Sequence, residues 1–407
     1  MIRIIDYREA QSLIARKTQR LDDAERVVAP ILNDVRREGD AALLAYARKF
    51  DGFEGSTVRV PVHGTLESEF GRAVRIADAN IREYARHQLP AEKLVEYPDG
   101  RKLGQIIRPL DSMGAYTPAG RYPLPSTLLM NIIPAQVAGV KTTCVACPHP
   151  SAEILGIAAW LGVTHFFQMG GAQAIAALAF GTATVPRVDR IVGPGNIYVA
   201  AAKKLIAGET GIDFVAGPTE IVIIAAKGNS EWIAADMLAQ AEHDVDASAI
   251  LLTTSRQLAT AVAEALERQL ISLPTAAVAR QSIDNNGAIV IVDSIERAVE
   301  FSNSLAPEHL ALHDPALLGS IQNAGSVFLG PSSPEAAGDY ASGPNHVLPT
   351  SGQARLRGGL SAADFVKVIS VQQLSPDALK SLAPAITTLA RAEGLEAHAR
   401  SVEVRHG

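Results

Sequence analysis

The sequence predicts an α/β protein with two Rossmann-like open parallel-sheet domains, a helical N-terminal region and a small C-terminal tail domain. Three observations carry this. The chain has 407 residues, more than one simple core accommodates. From Gly139 onward, short apolar runs alternate with alanine-rich helical segments, the mark of right-handed βαβ units around a parallel sheet. A second series of the same kind begins after Gly217-Pro218-Thr219.

The elements follow in order. Residues 22–50 place Val27, Val28, Ile31, Leu32 and Val35 at helical spacing between charged residues, and residues 69–88 repeat the pattern. Pro98-Asp99-Gly100 is a turn signal. The first βα series reads strand 141–147, helix 151–161, strand 164–168, helix 172–180, strand 188–192, helix 197–207 and strand 212–215. The second reads strand 221–226, helix 231–242, strand 249–254, helix 257–269, strand 288–292, helix 295–304 and strand 326–329. Nearly continuous apolar strands fit a sheet covered on both faces. Each sheet is expected to offer a crevice at the carboxyl ends of its strands, where such folds place ligands. Ser375-Pro376 then marks a helix start, and residues 377–391 read as helical with a break or kink near Pro384. This last segment is too short to fold alone and is expected to dock on something else.

Composition narrows the function classes. Lys and Arg number 37 against 43 Asp and Glu, a formal net charge of −6, so no broad attraction to nucleic acid is expected. The first residues lack the basic, apolar and cleavage regions of a secretory signal. No apolar run approaches the roughly 20 residues a bilayer span needs. The expectation is a cytoplasmic protein with no membrane partner. Cys144 and Cys147 are the only cysteines. One C-x-x-C pair cannot build a four-thiolate zinc site, and its surroundings read as a buried strand, so packing is favoured over redox chemistry.

Four places could carry chemistry. Gln240 and His243 lie three residues apart on one helix face, an amide oxygen and an imidazole that suit a borderline metal; taken alone, the pair favours a plain helix C-terminus. Glu308-His309 follows Leu305-Ala306-Pro307, where Pro307 is expected to end a helix and hold both groups at its exit. An imidazole of ordinary pKa about 6.5 can act as a base, and a neighbouring carboxylate can activate water; a surface pair in a loop is the bland alternative. Asp339 and His346 share a Gly- and Pro-dense loop, where an Asx turn would also account for the aspartate. Gly170-Gly171 and Gly193-Pro194-Gly195 occupy strand-to-helix turns that could approach a phosphate, although neither has full G-x-G-x-x-G spacing.

Taken in order, these segments resemble the histidinol dehydrogenase family. The stretches are Gly114-Ala115-Tyr116-Thr117-Pro118-Ala119-Gly120, Gly170 to Ala177, Gly193 to Asn196, Ala216 to Glu220, Gln240 to His243, Ala306 to Leu310, Gly338 to Thr350, and Glu393-Gly394-Leu395 with His398. The resemblance implies a zinc enzyme that couples two NAD-dependent oxidations of histidinol, with Gln240, His243, Asp339 and His398 holding zinc. It implies that His398 comes from the partner in an intertwined homodimer. His309 becomes the base and Glu308 the water-activating group. Thr219, Gln240, His243, His309, Asp339, Glu393 and His398 bind substrate, with His346 nearby, and Tyr116, Gln173 and Asn196 contact NAD. The implied domains are residues 18–113 with 219–361 for substrate and zinc, 114–218 for NAD, and 362–407 with 1–17 as a tail docking on the partner. Thr219 stands where the family usually has serine, keeping the hydroxyl. The main alternative is a relative of the same family acting on another small diol or amino alcohol. A nucleotide-binding protein without turnover is disfavoured because both Glu308 and His309 are present. A metallohydrolase is disfavoured because substrate nitrogens would fill the metal shell.

Overall fold

The computed structural model describes residues 1–15, 21–66, 68–118 and 123–405. Residue 18, where the first domain was expected to start, and Ala119 and Gly120 of the Gly114–Gly120 stretch lie outside them.

The first sheet has six strands in the order Arg59–Val60, His165–Phe167, Thr142–Ala146, Ser112–Tyr116, Arg190–Val192 and Gly211–Ile212. All pairs are parallel except the outermost, Arg59–Val60 against His165–Phe167. The helix Gly171–Phe180 is almost wholly buried between this sheet and the helices Asp22–Glu38 and Ile197–Ile206. Its five alanines make that possible, because small side chains let backbones approach closely. On the opposite face lies the helix Pro125–Ala138, started by proline and ended by Gly139 at φ 95°. Sequence periodicity missed this helix because residues from Thr127 to Ala135 are buried on every side, leaving no amphipathic stripe.

The second sheet is entirely parallel, in the order Ile4–Asp6, Ala288–Ile291, Ser248–Thr253, Glu220–Ile224, His309–Leu312 and Ser326–Leu329. Residues Ile221 to Ile224 are all buried, which explains their unbroken apolar run. The N-terminal segment, expected to go with the tail, instead supplies the edge strand Ile4–Asp6, paired with Ala288–Ile291.

A third, antiparallel sheet joins Lys93–Glu96, Arg101–Pro109 and Val366–Leu374, with Val366 opposite Pro109 and Leu374 opposite Arg101. None of its strands contains a buried residue. The helix Pro376–Ala392 follows, capped by Ser375 accepting from the Ala378 amide, and runs through Pro384 without a break. The helix Glu396–Glu403 packs back on it.

Two further expectations are corrected. The helical spacing over residues 22–50 resolves into two helices, Asp22–Glu38 and Asp40–Asp51, divided at Gly39, whose φ of 58° ordinary side chains avoid. The helix Ile295–Leu305 is ended by left-handed Ala306 (φ 52°) rather than by Pro307, and His309 opens a strand instead of lying in a loop. Among the described residues, no helix is long and apolar enough to cross a membrane.

Candidate active site

Parallel pairing of Glu220–Ile224 with His309–Leu312 sets Ile221 opposite His309, so the groups preceding both strands meet at one sheet edge. Glu308 Oε2 accepts from the Glu220 amide (3.0 Å) and lies 2.5 Å from Thr219 Oγ1. The helix Ser230–Ala241 leaves the far end of its strand and returns, so its C-terminus delivers Gln240 and His243 to the same place. Gln240 is fully buried. Its amide presents one end to Thr219 Oγ1 (2.7 Å) and the other to Glu335 (2.9 and 3.1 Å) and His309 Nδ1 (3.2 Å), and only its oxygen could ligate a cation.

The short helix Glu335–Tyr340 brings Glu335 and Asp339 in from the other side, one turn apart on one face. His309, with a side chain only 4% exposed, stands between: Nδ1 is 3.3 Å from the Glu220 carbonyl, 3.7 Å from Glu308 and 4.0 Å from Glu335, and Nε2 is 3.7 Å from Asp339 Oδ1. His309 Nε2 is buried without a hydrogen bond. His243 Nε2 lies 3.8 Å from Asp339 Oδ2 on the solvent side, its side chain 41% exposed. His346 donates from Nδ1 to the Asp339 carbonyl (2.7 Å), and its Nε2 is 3.3 Å from Thr127 Oγ1 on the helix Pro125–Ala138. Asn345 also bonds the Met130 carbonyl (2.7 Å), so residues 341–350 bridge the two α/β layers.

These neighbours set the charges. Burial pushes the Glu308 carboxyl up to about 7, against the pull of His309 and of bonds from Thr219 and Glu220. Burial likewise raises Glu335. Burial alone would lower His309, but Glu335, Glu308 and Asp339 outweigh it and push the imidazole up to about 10. Burial holds His346 below its usual range. Three carboxylates around one imidazole form a strongly negative enclosure. His243, Glu335 and Asp339 place ligand atoms within 4.8 Å of one another, a nitrogen and oxygen donor set that fits a borderline divalent cation.

The cluster occupies the amino edge of the second sheet, not the carboxyl edge where a crevice was expected. The residues expected to contact NAD do lie at the carboxyl edge of the first sheet. There, Tyr116 and Gln173 are buried beneath the glycine turn: Tyr116 Oη accepts from the Gly171 amide (3.1 Å), and Gln173 donates to Asp51 (3.1 Å), which also accepts from Gly170 (2.9 Å). Asn196 caps the helix Ile197–Ile206, accepting from Tyr198 (3.0 Å) and Val199 (3.1 Å). At Gly193, φ is 109° and an added Cβ would lie 2.1 Å from the Tyr116 carbonyl oxygen, so only glycine fits. Gly193 donates to Asp213 (2.8 Å) and accepts from Lys203 (3.0 Å), and those two form an ion pair with side chains 0% and 2% exposed.

The structure thus gathers Thr219, Gln240, His243, Glu308, His309, Asp339 and His346. It does not bring in Glu393 or His398, which are exposed on the tail. Sequence reasoning missed Glu335 and Glu220. A carboxylate four residues before Asp339 was the available signal for Glu335.

A buried imidazole, a carboxylate beside it and side chains that could hold a cation, at the junction of two α/β layers, have the character of an enzyme active site. The family model for histidinol dehydrogenase matches residues 14–406. Histidinol dehydrogenase of Geobacillus kaustophilus is 47% identical over 399 residues, covering 94% of each chain. That of Rhizobium meliloti is 44% identical over 415 residues, covering 98% of this chain and 95% of its own. A crystal structure of histidinol dehydrogenase from Elizabethkingia anophelis superposes with a TM-score of 0.93 at 37% identity, over 99% of this chain and 98% of that one. The chain belongs to the histidinol dehydrogenase family, as the ordered motifs indicated.

Proposed function

We propose that this chain oxidises L-histidinol through L-histidinal to L-histidine, the last step of histidine biosynthesis, passing four electrons to two molecules of NAD. The observation that carries this is the enclosed Glu308–His309 pair beside Gln240, His243 and Asp339 in a chain of this family.

His309 is the base for the alcohol proton. Neutral His309 keeps its proton on Nδ1, toward the Glu220 carbonyl (3.3 Å), when the Gln240 amide presents its oxygen 3.2 Å from Nδ1, and Nε2 is then left to act. Nε2 is the nitrogen without a partner, beside Asp339. Loss of hydride to NAD and of this proton turns the alcohol into the aldehyde. Glu308, as carboxylate, takes a proton from water as its oxygen adds to the aldehyde carbon, and loss of a second hydride to NAD and of a hydrate hydroxyl proton to His309 yields the acid. Burial of both groups keeps competing water out.

Zinc would be held by Gln240, His243, Asp339 and the partner subunit's His398; when bound it would supply positive charge to anchor substrate nitrogens and to offset the carboxylate field that raises His309. Thr219, Glu393 and His346 complete the substrate contacts. Tyr116, Gln173 and Asn196 form the NAD side, with NAD supplying the hydride acceptor. The homodimer is supported by the tail: strands with no buried residue and exposed Leu389, Leu395 and Val404 suit a surface covered by a second copy. A cytoplasmic location accords with a biosynthetic reaction that uses NAD.

The test is to incubate zinc-loaded protein with L-histidinol and NAD and to look for L-histidine. Turnover of another amino alcohol or diol, with no histidine formed, would reassign the substrate within the family.

A further inference from the structure

The coenzyme side of the protein holds a carboxylate that the reaction as described does not use. Asp51 ends the helix Asp40–Asp51 and is half-buried. Its Oδ2 accepts from the Gly170 amide (2.9 Å) and from Gln173 Nε2 (3.1 Å). Among the described residues, nothing donates to Oδ1. That oxygen lies against Gly170, where an added Cβ would meet it at 2.9 Å and Pro148 Cβ at 2.8 Å. The open oxygen therefore sits beside the turns that leave the strands Thr142–Ala146 and His165–Phe167.

Sheet order gives that position a meaning. Counted from Ser112–Tyr116, the parallel strands of the first sheet run 3-2-1-4-5. Folds of this order bind a dinucleotide at the carboxyl edge, where an acid shortly after the first glycine turn holds the ribose 2′-hydroxyl. Here the second strand leaves through Cys147-Pro148-His149-Pro150, which contains no acid. Asp51 reaches this corner from a helix outside the sheet. The first acid after that strand, Glu153, is exposed and bonded to Ser151 at the start of the next helix.

The glycine turn favours the same reading. The Gly170 amide is taken by Asp51 and the Gly171 amide by Tyr116 Oη, so neither is left for a phosphate. Gln173 gives its nitrogen to Asp51, and its oxygen lies against Gly171. This corner offers acceptors, which suit a hydroxyl donor and oppose a phosphate. A hydroxyl on the ionised carboxyl also makes a charge-assisted bond.

We propose that Asp51 selects NAD over its 2′-phosphorylated form, NADP, by accepting at Oδ1 from the adenosine ribose 2′-hydroxyl. This rests on the reading of Tyr116, Gln173 and Asn196 as the coenzyme side of the site.

The test measures dissociation constants for NADH and NADPH, by coenzyme fluorescence, in the zinc-loaded unmodified protein, Asp51→Asn and Glu153→Gln, with thermal melting to check the fold. The unmodified protein should prefer NADH. Asparagine can keep its oxygen on Gly170 and Gln173 while setting an amide donor where Oδ1 was. Asp51→Asn should therefore bind NADH about tenfold more weakly, the difference between a bond to a charged group and one to a neutral group. It should bind NADPH more tightly, and Glu153→Gln should change neither. An unchanged ratio, or equal weakening of both coenzymes, would make Asp51 only a support of the turn and overturn the proposal. So would a preference lost in Glu153→Gln instead. If Asp51→Asn does not fold, a crystal structure of the unmodified protein with NAD decides: the ribose on Asp51 supports the proposal, and the ribose elsewhere overturns it. Binding of neither coenzyme to the unmodified protein would remove the NAD reading and this proposal with it. A preference for NADH that survives in Asp51→Asn would remove this proposal alone.

Discussion

Thr219 and Glu308 meet across the amino ends of two neighbouring strands, Oγ1 2.5 Å from Oε2. The same hydroxyl lies 2.7 Å from the Gln240 amide. It has one proton to donate and can accept from the amide nitrogen while donating to Glu308. Thr219 therefore links the carboxylate proposed to activate water to a proposed metal ligand.

Glu308 works as a base only when ionised, and its carboxyl is pushed up to about 7 by burial. Aldehyde oxidation should therefore rise with pH through about 7 and level off above it. Thr219→Val removes a donor that favours the carboxylate, so the rising limb should move to higher pH. Single-turnover oxidation of histidinal across the pH range checks this; a limb that stays in place would remove the hydroxyl from the tuning of Glu308.

Glu308→Gln should slow oxidation of the aldehyde more than that of the alcohol, because only the second step adds water. Rates measured separately from histidinol and from histidinal decide it. Equal losses would count against water activation.

His309→Asn should slow both oxidations by at least about a hundredfold, in line with the loss of a general base. The variant should retain its fold, since an asparagine amide can still donate to the Glu220 carbonyl that His309 Nδ1 meets at 3.3 Å. Near-normal rates at neutral pH would move the base elsewhere.

His398 is exposed in the single chain and distant in sequence from the cluster it is proposed to complete. His398→Asn should bind zinc more weakly. Mixing it with His309→Asn should restore part of the activity if each site takes His398 from the other subunit. With subunit exchange verified, no recovery would rule out shared sites.

Lys203→Met strands Asp213, a buried charge that also holds the Gly193 turn. Breaking such a pair costs about 3–5 kcal/mol, so thermal unfolding should shift down by several degrees and the KM for NAD should rise. A melting curve that matches the unmodified protein would contradict this reading.

Much of this was legible in the sequence, for reasons visible residue by residue. The βα alternation follows from strands such as Ile221 to Ile224, whose continuous apolar character survives any reading frame. Cys144 and Cys147 are buried, and burial pushes both thiols up to about 12, as expected of packing residues. The helix Pro125–Ala138 was hidden because it is apolar all round. The strand Val366–Leu374 was hidden because its partner, Arg101–Pro109, lies more than 250 residues away. The edge of the sheet on which the cluster forms was set by where Thr219 and Glu308 fall relative to their strands, a matter of register that local pattern does not carry. Glu335 reaches the site through the same short helix as Asp339, and only the fold turns that helix inward.

The most direct measurement is the ratio of NADH to histidine when zinc-loaded protein converts limiting L-histidinol in excess NAD. Two NADH for each histidine, with no free aldehyde accumulating, is the outcome that a shared base and a water-activating carboxylate in one enclosed site predict. One NADH with L-histidinal released, or no NADH at all, would contradict it.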